Sequence, residues 1–295
     1  MRDFERPLGL ALAGGGAHGA WQAGALRSLS AAGLSFDQVI GFSAGALTGV
    51  AYALDIEDEL TARWSDTDGQ RPLRFAPRLS PASLFSGESI WEAVRKTHDE
   101  AEARRRLRCE LTVVSLRVPQ REYDYARFTP SGAGGWDGPL AAKLVASCAI
   151  PGIFPPVTVA ANGTPAQRLV DGGVPGREPL RFDALAGCRT VIALQMTRPE
   201  EVGRFHWWPW RRIDQMGRDV CHRQMVSGLD SLLSRADAPA VYRFYPSRTL
   251  EFSQLSFRTS RCAPAMEQGA RDGRAFLEAS EGFRIASPLG LPAVA

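Results

Sequence analysis

Lysine is nearly missing from this chain. Lysine and arginine together number 35 among 295 residues, yet only Lys96 and Lys143 are lysine. We read this as a compositional bias and not as a demand for guanidinium chemistry. Strong charge of one sign is also absent: the net charge is +3, 23% of residues are charged, and no long block of like charge occurs. That excludes a nucleic-acid-binding tail as the main function, and no nucleic-acid partner is expected. The five cysteines (Cys109, Cys148, Cys188, Cys221, Cys262) are odd in number and widely spaced, with no CxxC and no Cys/His ligand spacing. A disulfide framework and a structural metal site are therefore not expected, and the thiols read as reduced or core residues. No stretch of about 18 apolar residues is available to span a membrane. The segment Met1–Pro7 mixes charges and runs into Leu8–Ala13 with no cleavage-site pattern, so no secretory signal is expected. A cytoplasmic chain follows, with at most peripheral membrane contact.

What is present suits one core. At 44% hydrophobic, a chain of this length can bury a substantial interior. We expect a single domain over 1–285 and a loosely held Pro-rich tail over 286–295. Leu8–Ala13 reads as a buried strand stopped by glycines, with a helix over Ala20–Ala32 and a stop at Gly33. Val39-Ile40 then reads as a strand ending at Gly41, and Ala44–Leu54 as a helix. Such a βαβα opening implies an α/β fold with a parallel sheet. Residues 65–88 read as a long loop or lid-like insertion. Further strands are expected at Glu110–Leu116, Tyr123–Phe128, Val157–Ala161, Arg168–Val170, Thr190–Gln195 and Val241–Tyr245. Helices are expected at Ile90–Arg105, Leu140–Ser147, Arg212–Arg235 and Pro264–Ala279.

Three segments carry chemistry. Gly41-Phe42-Ser43-Ala44-Gly45 matches G-x-S-x-G and places a serine on a tight strand-to-helix turn, with small neighbours where the backbone crowds. The following helix would direct its positive end at the hydroxyl. Gly14-Gly15-Gly16-Ala17-His18-Gly19 is a glycine loop after the first strand. A phosphate cradle fits poorly, because no acidic partner stands at the dinucleotide spacing and no Gly-Lys-Ser/Thr ending occurs. An oxyanion hole of backbone amides fits better. None of His18, His98, His206 and His222 has the setting of a catalytic base. Asp171, followed by Gly172 and Gly173, is either a turn residue or a base at a strand's carboxyl end, where active sites of parallel sheets gather. A free aspartate is a feeble base, so this role needs burial.

Together with the Pro-rich run Ala146–Pro156, these segments closely resemble the motifs of the patatin-like phospholipase family over residues 7–200. The resemblance implies a patatin-type three-layer α/β/α fold with a mostly parallel central sheet. It implies a Ser43 nucleophile, an Asp171 base, and an oxyanion hole over Gly14–Gly19, with Gly41, Gly45, Gly172 and Gly173 as motif support. Lipid or acyl-ester substrates are implied, with neither metal nor cofactor. The chain departs from the family at His18, where arginine is frequent, which puts anion recognition there in question. An acyltransferase using the same acyl-enzyme and a non-catalytic lipid-binding protein are the rival functions. Finally, Trp207, Trp208 and Trp210 lie among Arg204, Arg211 and Arg212. They suit a bilayer headgroup boundary, or else they cap the core or the cleft.

Overall fold

The computed structural model describes residues 4–70, 72–97, 99–130, 134–160 and 165–290. The apolar run β1 (Leu8–Leu12) is wholly buried and leads through the glycine loop into α1 (Gly19–Ala31). Next come β2 (Gln38–Phe42), α2 (Ala44–Ala53), α3 (Glu57–Ser65) and α4 (Thr67–Gln70). A two-stranded ribbon, β3 (Arg74–Leu79) and β4 (Ala82–Ser86), precedes α5 (Glu88–Thr97) and α6 (Glu100–Arg106). The middle of the chain holds β5 (Glu110–Arg117), β6 (Glu122–Phe128), α7 (Leu140–Ser147), β7 (Val157–Val159) and β8 (Gln167–Asp171). The remainder is β9 (Thr190–Leu194), α8 (Pro209–Leu233), β10 (Ala240–Phe244), α9 (Thr259–Glu278) and β11 (Arg284–Ile285).

The main sheet has the order β11-β10-β9-β1-β2-β5-β8-β7, with β6 also on β5. Strands β10, β9, β1, β2 and β5 are parallel, and their near-continuous apolar character fits burial on both faces. Chain order advances one way from β1 through β2 to β5 and the other way from β9 to β10. Right-handed crossovers therefore put α1 and α2 on one face and α8 on the other, giving three layers. The order reverses beside β1, so the glycine loop at its carboxyl end sits at the switch point of the sheet. On the first face, the Trp21 indole of α1 donates to Asp272 of α9 at 2.8 Å inside the packed helix pair.

Several expectations need correction. Residues 65–88, read as a long loop or lid-like insertion, are not a plain loop: they hold α4 and the β3–β4 ribbon, which tolerates Pro77 and Pro81 because it is a separate ribbon with an irregular register between Phe75 and Arg78. The helix expected over 90–105 is two helices, and the Asp99 carboxylate caps the second by accepting from the Ala101 amide at 3.3 Å. Helix α3 was not anticipated. The expected end of β7 at Ala161 lies outside the described residues, as does His98. The tail is fastened as far as 290, since Asp230 accepts the amides of Leu289 and Gly290 at 2.6 and 3.0 Å; residues 291–295 lie outside the described residues.

Candidate active site

Ser43 and Asp171 meet through the register of one strand. On one edge of β5, residues 111–117 pair with β6. The other edge is therefore shared. Strand β2 occupies it up to Phe42 opposite Val114, and β8, running the opposite way, occupies it from Leu169 opposite Arg117 to Asp171 opposite Ser115. The two strands thus approach head-on and stop at adjacent residues of β5. Asp171 is the last residue of β8, at a strand's carboxyl end as expected, and it is an antiparallel strand that delivers it to the carboxyl edge of the parallel strands. The Gly172 position confirms the closeness, since a Cβ there would lie 3.0 Å from Phe42 Cβ and would collide with the Val114 carbonyl.

Where β2 leaves the ladder, Ser43 turns with φ 53° and ψ −129° into the start of α2. A non-glycine residue in this region is strained and must be held by its surroundings. Ser147, the last residue of α7, holds it. Its hydroxyl donates to the Val114 carbonyl at 2.6 Å and accepts the Ser43 amide at 2.9 Å. Ser147 falls within the Pro-rich run Ala146–Pro156 that was singled out from sequence, but no role was expected for this small residue at the end of an apolar helix. Gly45, one residue into the helix, lies so close to the Leu12 and Ala13 carbonyls that any Cβ would collide with backbone. Gly41, on the other flank, faces the Gly45 carbonyl.

Asp171 is 4% exposed. Burial, the dominant influence, pushes its carboxyl up to about 7, against the lesser opposing effects of the Gly173 amide and the Ser43 hydroxyl. Oδ1 accepts the Gly173 amide at 2.7 Å. The Ser43 hydroxyl is near enough to stabilise the carboxylate, yet Oδ2 makes no well-formed hydrogen bond. We take the pair as adjacent but not aligned, because hydrogen bonds of this kind tighten when substrate binds. Cys148 and Cys221 share this surrounding; burial, then the Asp171 charge, raises both thiols, Cys221 to about 12, so they remain neutral.

Of the glycine loop, only part is free to donate. The Ala17 amide is spent on the Gln254 carbonyl at 2.7 Å and the His18 amide on the Gly15 carbonyl at 3.1 Å. Gly19 opens α1. Among the described residues the amides of Gly14, Gly15 and Gly16 have no protein acceptor. Gly14 lies against the elbow, where a Cβ would come within 3.0 Å of Ser43 Cβ and 2.8 Å of the Phe42 ring. The first amides of α2 add their unpaired donors and the helix's positive end beside Ser43.

His18 and His222 are engaged with partners other than this pair. His18 is wholly buried; its Nε2 lies 2.7 Å from the Phe252 carbonyl and 3.3 Å from the Arg218 guanidinium. Burial first, then Arg218, holds its pKa down to about 3, so it is neutral. His222 packs its Nδ1 on Gln195 at 2.6 Å, with burial and Arg243 holding it down to about 4. Arg218 was not singled out from sequence, being one arginine in a long helix, but it joins α8 to the loop beside the glycine turn: it donates to the Leu250 and Phe252 carbonyls at 2.9 and 2.6 Å. Among the described residues no group of His, Cys, Asp and Glu is arranged to hold a metal ion.

Ser43 opens onto an apolar cavity of about 180 Å³ whose lining includes Leu47, Val50, Ile56, Trp64, Ile90 and Phe154. The tryptophans at 207, 208 and 210 are 89%, 71% and 80% exposed, so they cap neither core nor cleft. Among the described residues no helix is long and apolar enough to cross a membrane.

The chain is similar to several known proteins. An uncharacterized NTE family protein of Mycobacterium bovis is 28% identical over 194 residues, covering 64% of this chain and 48% of its own length. A second from the same organism is 31% identical over 195 residues, covering 65% and 31%. Patatin-like phospholipase domain-containing protein 6 of Homo sapiens is 24% identical over 229 residues, covering 70% and 15%. The chain thus spans about half or less of the length of these curated relatives. Among solved structures, VipD from Legionella pneumophila aligns with a TM-score of 0.39 at 12% identity, covering 94% of this chain and 67% of that one. The type III effector ExoU aligns with a TM-score of 0.39 at 11% identity, covering 96% and 55%. The profile described as patatin-like phospholipase matches residues 10–181, a stretch that contains the glycine loop, Ser43 and Asp171, and the chain belongs to the patatin-like phospholipase family.

Proposed function

We propose that the chain hydrolyses carboxylic esters of lipids, with Ser43 as nucleophile and Asp171 as its only base. The observation that carries this reading is a buried carboxylate, held up at about 7, abutting a serine on a strained elbow. A carboxyl of that basicity both accepts and returns a proton near neutral pH. Ser43 Oγ attacks the ester carbonyl while its proton passes to Asp171, and the amides of Gly14, Gly15 and Gly16 receive the oxyanion. The tetrahedral intermediate collapses, and the Asp171 proton leaves with the alcohol or lysolipid. Water then attacks the acyl-enzyme, gives one proton to Asp171, and the fatty acid departs as that proton returns to Ser43. The apolar cavity beside Ser43 suits the acyl chain. The exposed tryptophans with their arginine neighbours suit peripheral contact with lipid. Hydrolysis of a soluble chromogenic ester tests the chemistry. Ser43→Ala and Asp171→Asn each remove nearly all activity, while His206→Ala and His222→Ala retain it; an active Asp171→Asn would overturn the two-residue mechanism.

A further inference from the structure

The β3–β4 ribbon leaves Phe75 72%, Leu79 99% and Leu84 48% exposed. A two-stranded ribbon with large apolar side chains in water has little to stabilise it alone, and scattered exposure does not explain three such residues on one short element. The Trp-bearing segment is the other region of this kind, with Phe205 67%, Ile213 58% and Met216 66% exposed beside the three tryptophans. Both are rooted in walls of the cavity that reaches Ser43. The ribbon is flanked by Pro72 and Leu73 on one side and Ser89 and Ile90 on the other, all lining that cavity. The amides of Leu84 and Phe85 donate to the carbonyls of Gly152 and Ile153 at 3.0 and 2.9 Å, beside the lining residues Ile150 and Phe154. On the other side, Asp214 of α8 accepts from the Ser253 hydroxyl and the Gln254 amide, both at 2.7 Å. That strand of chain continues into Leu255 and Phe257, which also line the cavity.

We propose that the ribbon is a second membrane-docking element, and that it and the tryptophan segment together seat the cavity mouth on an anionic lipid leaflet. Charge complementarity selects this occupant. Arg204, Arg211 and Arg212 surround the tryptophans with no acidic residue between them, and Arg78 projects from the ribbon with no ion-pair partner among the described residues. Arg212 also stacks over Phe205, 5.4 Å from the ring centroid, which keeps ring and cation at one depth. Apolar rings flanked by guanidinium groups match the boundary between acyl chains and anionic headgroups. The proposal rests on the lipid-hydrolase reading for its purpose, though not for its test.

The test is flotation of the full chain with phosphatidylglycerol and with phosphatidylcholine vesicles at low and high salt. The wild type binds phosphatidylglycerol more tightly, binding weakens with salt, and tryptophan emission shifts to the blue. Phe75→Ser, Leu79→Ser and Leu84→Ser together lower affinity by about tenfold, as does serine at Trp207, Trp208 and Trp210, with unchanged circular dichroism and soluble-ester hydrolysis. Arg78→Ser alone removes part of the binding at low salt only. Unchanged vesicle binding by the ribbon variant, with the tryptophan variant impaired, would overturn the ribbon's role while leaving hydrolysis untouched. Self-association of the wild type that the ribbon substitutions abolish, without any vesicle binding, would assign the face to a second copy instead. Loss of soluble-ester hydrolysis in the wild type would strike the hydrolase reading and not the docking one.

Discussion

The floor and the rim of the site are built on opposite terms. At the floor, around Ser43, main chains crowd together: Gly45 against the Leu12 and Ala13 carbonyls and Gly172 against Val114, with the Ser147 hydroxyl bridging the Ser43 amide and the Val114 carbonyl of β5. At the rim, the ribbon and the tryptophan segment present largely exposed apolar side chains whose ring contacts, Phe75 with Phe85 and Phe205 with Trp207, stay within the same segments. The floor cannot absorb a methyl group, whereas the rim can lose whole aromatic rings without opening a cavity in the core. On the proposed reading, chemistry and access to lipid are carried by different residues and are separable by mutation.

That separation can be broken or sharpened in order of effect. Ser43→Ala and Asp171→Asn should lower kcat on a soluble ester by at least about 1,000-fold, and a rim variant doing the same would dissolve the distinction. Gly45→Ala should cost about 3 kcal/mol or more of stability, because the obstructing atoms are backbone and cannot rotate away; a thermal midpoint within a degree of wild type would contradict a rigid floor. Ser147→Ala strands the buried Ser43 amide and Val114 carbonyl, a loss of about 1–3 kcal/mol. We expect kcat to fall about tenfold with KM little changed, and Ser147→Thr to restore part of it. Removing the rim tryptophans should leave soluble-ester kinetics as they are.

A pH series refines the floor further. The Asp171 carboxyl is at about 7 in the folded chain against 3.8 ordinarily, so the folded state holds its proton more tightly than the unfolded one. Its contribution to stability is complete below about pH 4 and is lost as pH rises to about 7. Asp171→Asn should accordingly raise the thermal midpoint at pH 8 relative to wild type, with the gain shrinking toward pH 4. Activity runs the other way, since the base must be ionised: kcat on the soluble ester should rise with pH and level off above about 7.

Much of the floor was legible in the sequence because its residues are constrained by backbone crowding. The elbow Gly41–Gly45 and the glycine loop were recognisable, since few residues other than glycine fit where main chains meet. Helix Leu140–Ser147 was placed to the residue, and β8, β9 and β10 within one position at each end, because apolar runs bounded by Gly and Pro locate buried elements well, whereas the two-residue β11 was not anticipated. Asp171 was found for an incomplete reason. Its position depends on β8 running antiparallel into the gap left by β2, a pairing between residues 115 and 171 that no local pattern encodes. The roles of Ser147, within a recognised run, and of Arg218 were invisible on the same ground, as their partners lie 104 and 34 residues away. The ribbon was misread because Pro77 and Pro81 signal a loop more strongly than Phe75 or Leu84 signal a strand.

The central claim is that Asp171 activates Ser43. Labelling by a fluorophosphonate, followed by intact mass and peptide mapping across pH 5 to 9, tests it without any choice of lipid. The account predicts one adduct, on Ser43, forming faster as pH rises to about 7 and nearly abolished in Asp171→Asn. An adduct on another residue, or equal labelling rates in wild type and Asp171→Asn, would contradict it.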